Sequence, residues 1–274
     1  MFGWLPDYPD SRDYTRETSE INSILKIGGG DGGSETLPPK IDLRPICSPI
    51  VNQGSIGSCT ANAASGILEF FQKKAYGACS PVSRIFIYKA TRNLMKMKGD
   101  SGAYIRSTMG ALALFGAPPE KYLTYEIERF DFEPPAFCYS FAQNYKALKY
   151  FRLDEQGNSE KETLDSIKQT INQQIPAMFG FTVYSSINEI KGGKIPFPER
   201  NDSVLGGHAV VAVGYDDSMK ISNSTGAFII RNSWGVEWGD SGYGYLPYDY
   251  LTKGLAMDWW ALISADWVDT WQFA

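Results

Sequence analysis

The sequence predicts an α+β fold with a helical lobe first and a strand-rich lobe after it. Apolar residues recur at helical spacing over residues 59–76 and 105–115, and glycines end both patterns. After the pair Pro134-Pro135 the pattern of apolar residues changes, and most apolar runs have the length and composition of buried strands. We therefore expect two lobes that meet near residue 135.

Length and charge limit the class of protein. A chain of 274 residues with 43% apolar and 21% charged residues is typical of a globular fold with a substantial core. Its net charge of -5 and its short basic runs argue against nucleic acid or an anionic membrane as a partner. It lacks an apolar run of membrane-spanning length and a signal peptide, so we expect a cytoplasmic protein.

The cysteine and histidine content argues against a metal site. The four cysteines have no CxxC spacing, and His208 is the only histidine in the chain. Scattered cysteines also agree with a reducing compartment. We therefore expect no bound metal.

The chain divides into three parts. Residues 1–35 contain prolines and aromatic residues without a sustained period, which favours an extended arm, and Gly28 to Ser34 has the composition of a flexible tether. The helical lobe then covers 36–135 and the strand-rich lobe 136–274. Helices are expected over 59–76, 105–115, 137–144 and 160–174, with another capped by Ser80-Pro81, and strands over 175–183, 208–215, 227–231, 243–246 and 259–264.

Cys59 is the candidate nucleophile of the chain. A turn of small residues, Gly54 to Ser58, leads directly into the helix predicted over 59–76, so Cys59 lies in its first turn. There the unpaired backbone amides and the helix dipole favour the thiolate, which is the reactive form of cysteine. The alternative for a lone cysteine is an ordinary buried thiol.

Three motifs together resemble the papain and cathepsin family of cysteine peptidases. The run from Gln53 to Cys59 is similar to the family's nucleophile motif, although Ile56 stands where a disulfide cysteine is usual. His208-Ala209-Val210 is similar to its histidine segment, about 150 residues after the cysteine, as is typical of papain-type enzymes, although Gly207 stands where many relatives carry asparagine or aspartate. Asn232-Ser233-Trp234-Gly235 and the Trp-Gly and Gly-Tyr pairs after it are similar to its asparagine segment.

The resemblance assigns a role to each of these residues. His208 would be the general base and acid for Cys59, and Asn232 would orient the imidazole while Trp234 shields their hydrogen bond from water. Gln53 would donate to the oxyanion with the backbone N–H of the nucleophile. For peptide binding the resemblance indicates the backbone of Gly102, together with Ala209 and Trp234.

The implied fold is the two-lobed papain-like fold, with the active site in the cleft between the lobes. The implied activity is that of an endopeptidase that acts on peptides or proteins through an acyl-thioester and needs no cofactor. Two alternatives stay open. One is a transpeptidase or ligase that passes the same acyl group to an amine, and the other is a peptide-binding protein without activity on a peptidase scaffold.

The N-terminal arm is expected to act in cis. Residues 1–35 are too short and too interrupted by proline to form a helical prodomain of the usual papain-like kind. Trp4, Leu5 and Tyr8 still need to be covered, either near the cleft or on the surface of a lobe. The first placement predicts that the arm limits access to Cys59.

Overall fold

The structure is a computed structural model that describes residues 2–27, 36–143 and 149–263 of the chain. The helices are α1 (Ser19–Ile27), α2 (Cys59–Tyr76), α3 (Arg84–Leu94), α4 (Ile105–Phe115), α5 (Ala136–Ala142), α6 (Glu160–Asn172) and α7 (Asp249–Thr252). The strands are β1 (Trp4–Leu5), β2 (Lys40–Asp42), β3 (Ala103–Tyr104), β4 (Lys149–Arg152), β5 (Ala177–Tyr184), β6 (Val204–Ile221), β7 (Ser224–Arg231), β8 (Tyr243–Pro247) and β9 (Ala256–Ile263).

Helix α2 is the centre of the helical lobe. Every residue from Cys59 to Phe71 is buried, because α2 packs against α3 and α4 within its lobe and against β6 of the other lobe. It ends at Gly77, which has a left-handed φ of 72° and donates its N–H to the carbonyl of Lys73. This is the end that the sequence predicted, and a residue with a side chain would be strained there.

The second lobe is built on a mostly antiparallel sheet. Its strand order is β4-β9-β5-β6-β7-β8, and β2 pairs with β6 as well. Strand β6 is the longest and lies at the middle of the sheet, so its two ends reach different parts of the molecule. The predicted α+β fold is confirmed, with helices in the first half and strands in the second.

Of the helices and strands named above, four of the seven helices lie before residue 135 and six of the nine strands lie after it. Both sides of the predicted boundary therefore contain helices and strands. Strand β2 lies before the boundary in sequence but pairs with β6 through Ile41 and Tyr215, whereas α6 lies after the boundary and packs against β5 and β6. The lobes therefore share backbone pairing as well as side-chain packing.

The N-terminal arm contains regular structure that the sequence pattern did not predict. Strand β1 pairs in parallel with β3, and α1 buries Ile21 and Leu25, which lie four residues apart on one helix face. The expectation of a wholly extended arm was wrong: Ile21, Ile24 and Leu25 do recur at helical spacing, but over a run of only nine residues that follows a segment rich in proline. The tether Gly28 to Ser34 lies outside the described residues, as do Asn144 and Ser264.

The predicted cap of the second helix was also wrong. Helix α3 begins at Arg84, and Ser83 is its N-cap, with a hydroxyl that accepts from the backbone N–H of Phe86 at 3.2 Å. The Ser80-Pro81 pair instead precedes a short backbone bridge between Val82 and Pro119. Both serines precede an apolar run, so the local pattern favours them equally.

The structure also bears on the cysteines and on membrane insertion. All four cysteines are free thiols, and three of them, Cys47, Cys59 and Cys138, are buried. None of the helices in the described ranges has both the length and the apolar character needed to cross a bilayer.

Candidate active site

Cys59 lies at the first position of α2, at the bottom of the cleft between the lobes. The loop before it is fixed to the other lobe by Gln53, whose backbone N–H donates to the carbonyl of Ser233 at 2.8 Å. The backbone N–H groups of Gly3, Cys59, Thr60 and Ala209 face the sulfur and favour its thiolate form. The Ala209 contact matters most here, because it brings the histidine strand directly against the nucleophile.

His208 lies on β6, next to that contact, and is held by Asn232. The two side chains form a hydrogen bond of 2.7 Å between Nε2 and Oδ1. Because the same Oδ1 also accepts from the backbone N–H of Ser233, Nε2 is the protonated nitrogen of a neutral ring. The other nitrogen, Nδ1, is buried and has no hydrogen-bond partner in the described part of the chain, so it is able to take a proton.

Trp234 covers this pair as the sequence indicates. Its indole stacks on the imidazole of His208, with 4.4 Å between ring centroids and an angle of 27° between the planes. Trp238 packs edge-on against Trp234 at 5.3 Å. The imidazole is therefore held between an aromatic face and the asparagine amide, which restricts rotation of the ring.

The side chain of Gln53 is buried beside the nucleophile loop and fixed at both ends. Its Nε2 donates to the carbonyl of Ile56 at 3.0 Å, and its Oε1 accepts from the hydroxyl of Ser233 at 2.7 Å. Cys59, His208, Asn232 and Gln53 thus come together at one place, although they are spread over 180 residues of sequence.

Comparison with known proteins agrees with this arrangement. The sequence profile of the papain family of cysteine proteases matches residues 37–258, which is most of the chain. The chain belongs to the papain family of cysteine proteases. It is accordingly a hydrolase that acts on peptide bonds.

Individual relatives of the protease come from distant organisms. It is 32% identical to a peptidase C1-like protein of Acanthamoeba polyphaga mimivirus over 95% of this chain and 86% of that one. It is 29% identical to a senescence-specific cysteine protease of Arabidopsis thaliana, and there it spans only 62% of the relative's length. The crystal structure of xylellain, a cysteine protease from Xylella fastidiosa, covers 96% of both chains with 34% identity and a TM-score of 0.78.

The arm of the protease occupies the cleft. The backbone of Gly3 lies on the nucleophile: its N–H contacts the Cys59 sulfur and also donates to the carbonyl of Gly207 at 3.1 Å. The ring of Phe2 packs edge-on against His208, with 6.5 Å between centroids. As a result Cys59 and His208 both have 0% exposed surface.

The backbone that pairs with the arm belongs to Ala103, a residue that sequence reasoning missed. Its N–H donates to the carbonyl of Gly3 at 2.8 Å, whereas the N–H of Gly102 donates to the hydroxyl of Tyr88. Gly102 has a left-handed φ of 71°, and a Cβ there would overlap the Gly3 carbonyl. Gly102 therefore provides room for the arm, and Ala103 provides the hydrogen bond.

Burial under the arm changes the protonation of the candidate catalytic pair, Cys59 and His208. Burial raises the pKa of Cys59 to about 11, against the effect of its four backbone donors, and lowers the pKa of His208 to about 3. The thiolate expected at the start of α2 is therefore not the form of this covered state, in which thiol and imidazole are both neutral near pH 7. Desolvation outweighs the helix dipole here.

This gives a prediction for the pH dependence of alkylation. Gly3→Ala places a Cβ against the backbone of Gly57 and displaces the arm from the thiol. Because burial holds the Cys59 pKa high, the covered enzyme forms thiolate only as pH rises, and uncovering lowers that pKa. We expect the midpoint of Cys59 alkylation by iodoacetamide to fall by about one pH unit or more in Gly3→Ala.

The control for that measurement is Gly110→Ala on α4, where the nearest heavy atom to a new Cβ is the Tyr150 hydroxyl at 3.7 Å. Its alkylation profile should match that of the unaltered protease. Superimposable profiles for all three proteins would show that burial by the arm does not set the Cys59 pKa.

Proposed function

We propose that the protease is an endopeptidase in which Cys59 attacks the substrate carbonyl and forms an acyl-thioester. The observation that carries this proposal is the unbroken series of contacts from the Cys59 sulfur through the Ala209 N–H to His208 and on to Asn232. A nucleophile, a base and a group that orients the base are the parts that such chemistry requires.

The reaction follows from the protonation states of these groups. Nδ1 of His208 takes the Cys59 proton, and the thiolate adds to the carbonyl carbon, whose oxygen becomes an oxyanion. Collapse of this intermediate breaks the C–N bond, and the imidazolium gives its proton to the leaving amine. Water, deprotonated by His208, then attacks the thioester. The C–S bond breaks, the imidazolium returns its proton to the Cys59 thiolate, and the acid product leaves.

Gln53 is proposed as a donor to the oxyanion. It is supported by the rigid placement of its amide through Ile56 and Ser233, six residues before the nucleophile. A donor fixed before the reaction stabilises developing charge without reorganisation at that moment. In the same scheme, Asn232 holds the imidazolium ring of His208 in its orientation through a hydrogen bond. It does not take a proton itself.

Gln53→Ala should reduce kcat for peptide hydrolysis by about 10²- to 10³-fold, the usual cost of one oxyanion donor. Alkylation of Cys59 by iodoacetamide involves no oxyanion, so its rate should change far less. Gln53→Glu keeps the length and shape of the side chain but removes the N–H donor, and we expect a similar fall in kcat. An equal loss of alkylation and hydrolysis would place Gln53 in the support of the nucleophile loop instead.

We also propose that the arm inhibits the protease in cis. It is supported by the position of Gly3 on the sulfur and by the absence of exposed surface on Cys59 and His208. Further along, the arm is tied to the body by ion pairs of Arg106 with Asp7 and Asp13. Residues 2–5 are therefore the part whose displacement opens the site.

The proposed hydrolysis is tested with a peptidyl epoxide and by product analysis. The epoxide should modify Cys59 and none of the other three cysteines, and an unmodified Cys59 in a labelled chain would overturn the proposal. Hydrolysis gives a free carboxylate even when an amine is added, whereas a transpeptidase would give the amide product.

A further inference from the structure

The peptide group between Ile56 and Gly57 is hydrogen-bonded on both sides. Its carbonyl, on Ile56, accepts from Nε2 of the candidate oxyanion donor, Gln53, at 3.0 Å. Its N–H, on Gly57, donates at 2.8 Å to Oδ1 of Asp100, which is 43 positions away in the sequence. The placement of the Gln53 amide beside Cys59 therefore depends on a carboxylate from another loop.

Tyr88 connects the same carboxylate to the backbone that pairs with the arm. Its hydroxyl donates to Oδ1 of Asp100 at 2.6 Å and accepts from the N–H of Gly102 at 3.1 Å. The next residue, Ala103, donates its N–H to the Gly3 carbonyl in the cleft at 2.8 Å. A continuous series of hydrogen bonds thus runs from the candidate oxyanion donor, through one peptide group, one carboxylate oxygen and one hydroxyl, to the start of β3.

The two side chains that link these loops are held by contacts outside the cleft. Tyr88 lies on α3 with 0% exposed surface, and the guanidinium of Arg92 lies over its ring at 4.1 Å. Arg92 also donates to the carbonyl of Gly99 at 2.5 Å, and the N–H of Gly99 donates to Asp131 at 3.1 Å. Asp100 is itself an exposed residue, so its placement comes from these contacts of the preceding backbone rather than from packing.

We infer that Asp100 and Tyr88 are positioning residues for the reaction. Together they hold the Gln53 amide and the Ala103 backbone in the relative placement that one bound peptide requires. The inference deepens the proposed function and rests on it, since it requires that Gln53 donate to the oxyanion. Such a donor is effective because its direction is fixed before the reaction, and a misplacement of about 1 Å can cost up to about 10²-fold in rate. Asp100 and Tyr88 act through these two groups and not on the reacting atoms.

The arm must be displaced before this role is measured. In the unaltered protease Gly3 occupies the same backbone, and Trp4 beside it donates its indole N–H to the buried carboxylate of Asp258 at 3.0 Å. A change at Asp100 would loosen the arm as well as the substrate site, and the two effects on the rate have opposite signs. The variants are therefore compared in the full-length Gly3→Ala protease, in which we expect the arm to leave the thiol.

The first test compares two substitutions of Asp100 that have about the size of aspartate. Asp100→Leu removes the acceptor, and we expect it to lower kcat for a fluorogenic peptide by about tenfold. The rate of Cys59 alkylation by iodoacetamide should stay within about twofold, because alkylation involves no oxyanion. Asp100→Asn is the matched control and should keep most of kcat, since its Oδ1 still accepts from Gly57 and Tyr88. An unchanged kcat in Asp100→Leu would overturn the inference.

A second measurement separates positioning from general support of the fold. When Gln53→Ala is already present, Asp100→Leu should lower kcat by less than about twofold, because the donor that Asp100 holds is absent. Equal, multiplying losses with and without Gln53→Ala would show that Asp100 does not act through Gln53, and would overturn the inference. A Gly3→Ala protease that cleaves no peptide would instead contradict the proposed function, which distinguishes the two outcomes.

Tyr88→Phe tests the other end of the series and decides the inference if Asp100→Leu does not fold. It removes only the hydroxyl that accepts from Gly102, and we expect KM for the peptide to rise about three- to tenfold. The control is Tyr215→Phe, since Tyr215 also has 0% exposed surface and its hydroxyl donates to the carbonyl of Pro38 at 2.9 Å, and its KM should not change. The same KM in both variants would overturn the role of Tyr88.

Discussion

Cys59→Ala and His208→Ala should each reduce kcat/KM for peptide hydrolysis by roughly 10⁴-fold or more, and the double variant should be little worse than either. The reason is that nucleophile and base act as one unit: without the thiol there is nothing to deprotonate, and without the imidazole the thiol stays neutral. The measurement is steady-state hydrolysis of a peptide by the three variants, each checked for folding by circular dichroism.

Cys47→Ala is the matched control, because Cys47 is also a buried free thiol but lies outside the cleft. It should keep most of the activity. Independent, multiplying losses in the double variant would show that Cys59 and His208 do not act together.

Gly3→Ala should raise the rate of peptide hydrolysis by about 10- to 100-fold. When the arm lies in the cleft, burial of Trp4 contributes about 2 to 3 kcal/mol. Each of the two hydrogen bonds of Gly3, to Gly207 and to Ala103, contributes about 1 kcal/mol. Part of this is offset by the entropy cost of ordering residues 2–5. A Cβ on Gly3 would overlap the carbonyl of Gly57, so we expect the variant to lose the state in which the arm occupies the cleft, without removal of any side chain.

Hydrolysis by this variant is compared with that by Gly110→Ala and by the unaltered protease at equal concentrations of active sites. The alanine on α4 should leave the rate unchanged. If Gly3→Ala is folded and its rate also stays unchanged, the arm covers the site without limiting access, and its inhibitory role is excluded.

Much of the candidate catalytic site could be proposed from the sequence because its residues lie in local patterns. Cys59 follows a turn of small residues at the start of a strongly periodic helix, and both ends of that helix, Cys59 and Tyr76, were predicted correctly. His208 is the only histidine in the chain and precedes an apolar run. That Cys59 and His208 lie close together could be inferred only from the family resemblance, since no local pattern indicates the contact through Ala209.

The sequence left two placements of the arm open, and the contacts that decide for the cleft could not be predicted, for a physical reason. The seat of Trp4 is created by the lack of side chains at Gly180 and Gly207 and by the carboxylate of Asp258. The local sequence does not indicate that these three residues surround Trp4. Each glycine lies inside an apolar strand, and an aspartate between Met257 and Trp259 is typical of a turn. The seat exists only after three strands have paired.

The bond between Trp4 and Asp258 also has a consequence for the order of events during synthesis. It joins residues 254 positions apart, so Trp4 must wait for a much later part of the chain to be synthesised before the bond can form. Contacts of such long range form late, because closing the intervening loop is slow. Cys59, His208 and Asn232 all precede β9, so these candidate catalytic residues are translated before Asp258, which accepts the hydrogen bond of Trp4. During synthesis there is therefore a stage in which Cys59 has been translated but the arm cannot yet form the hydrogen bond between Trp4 and Asp258.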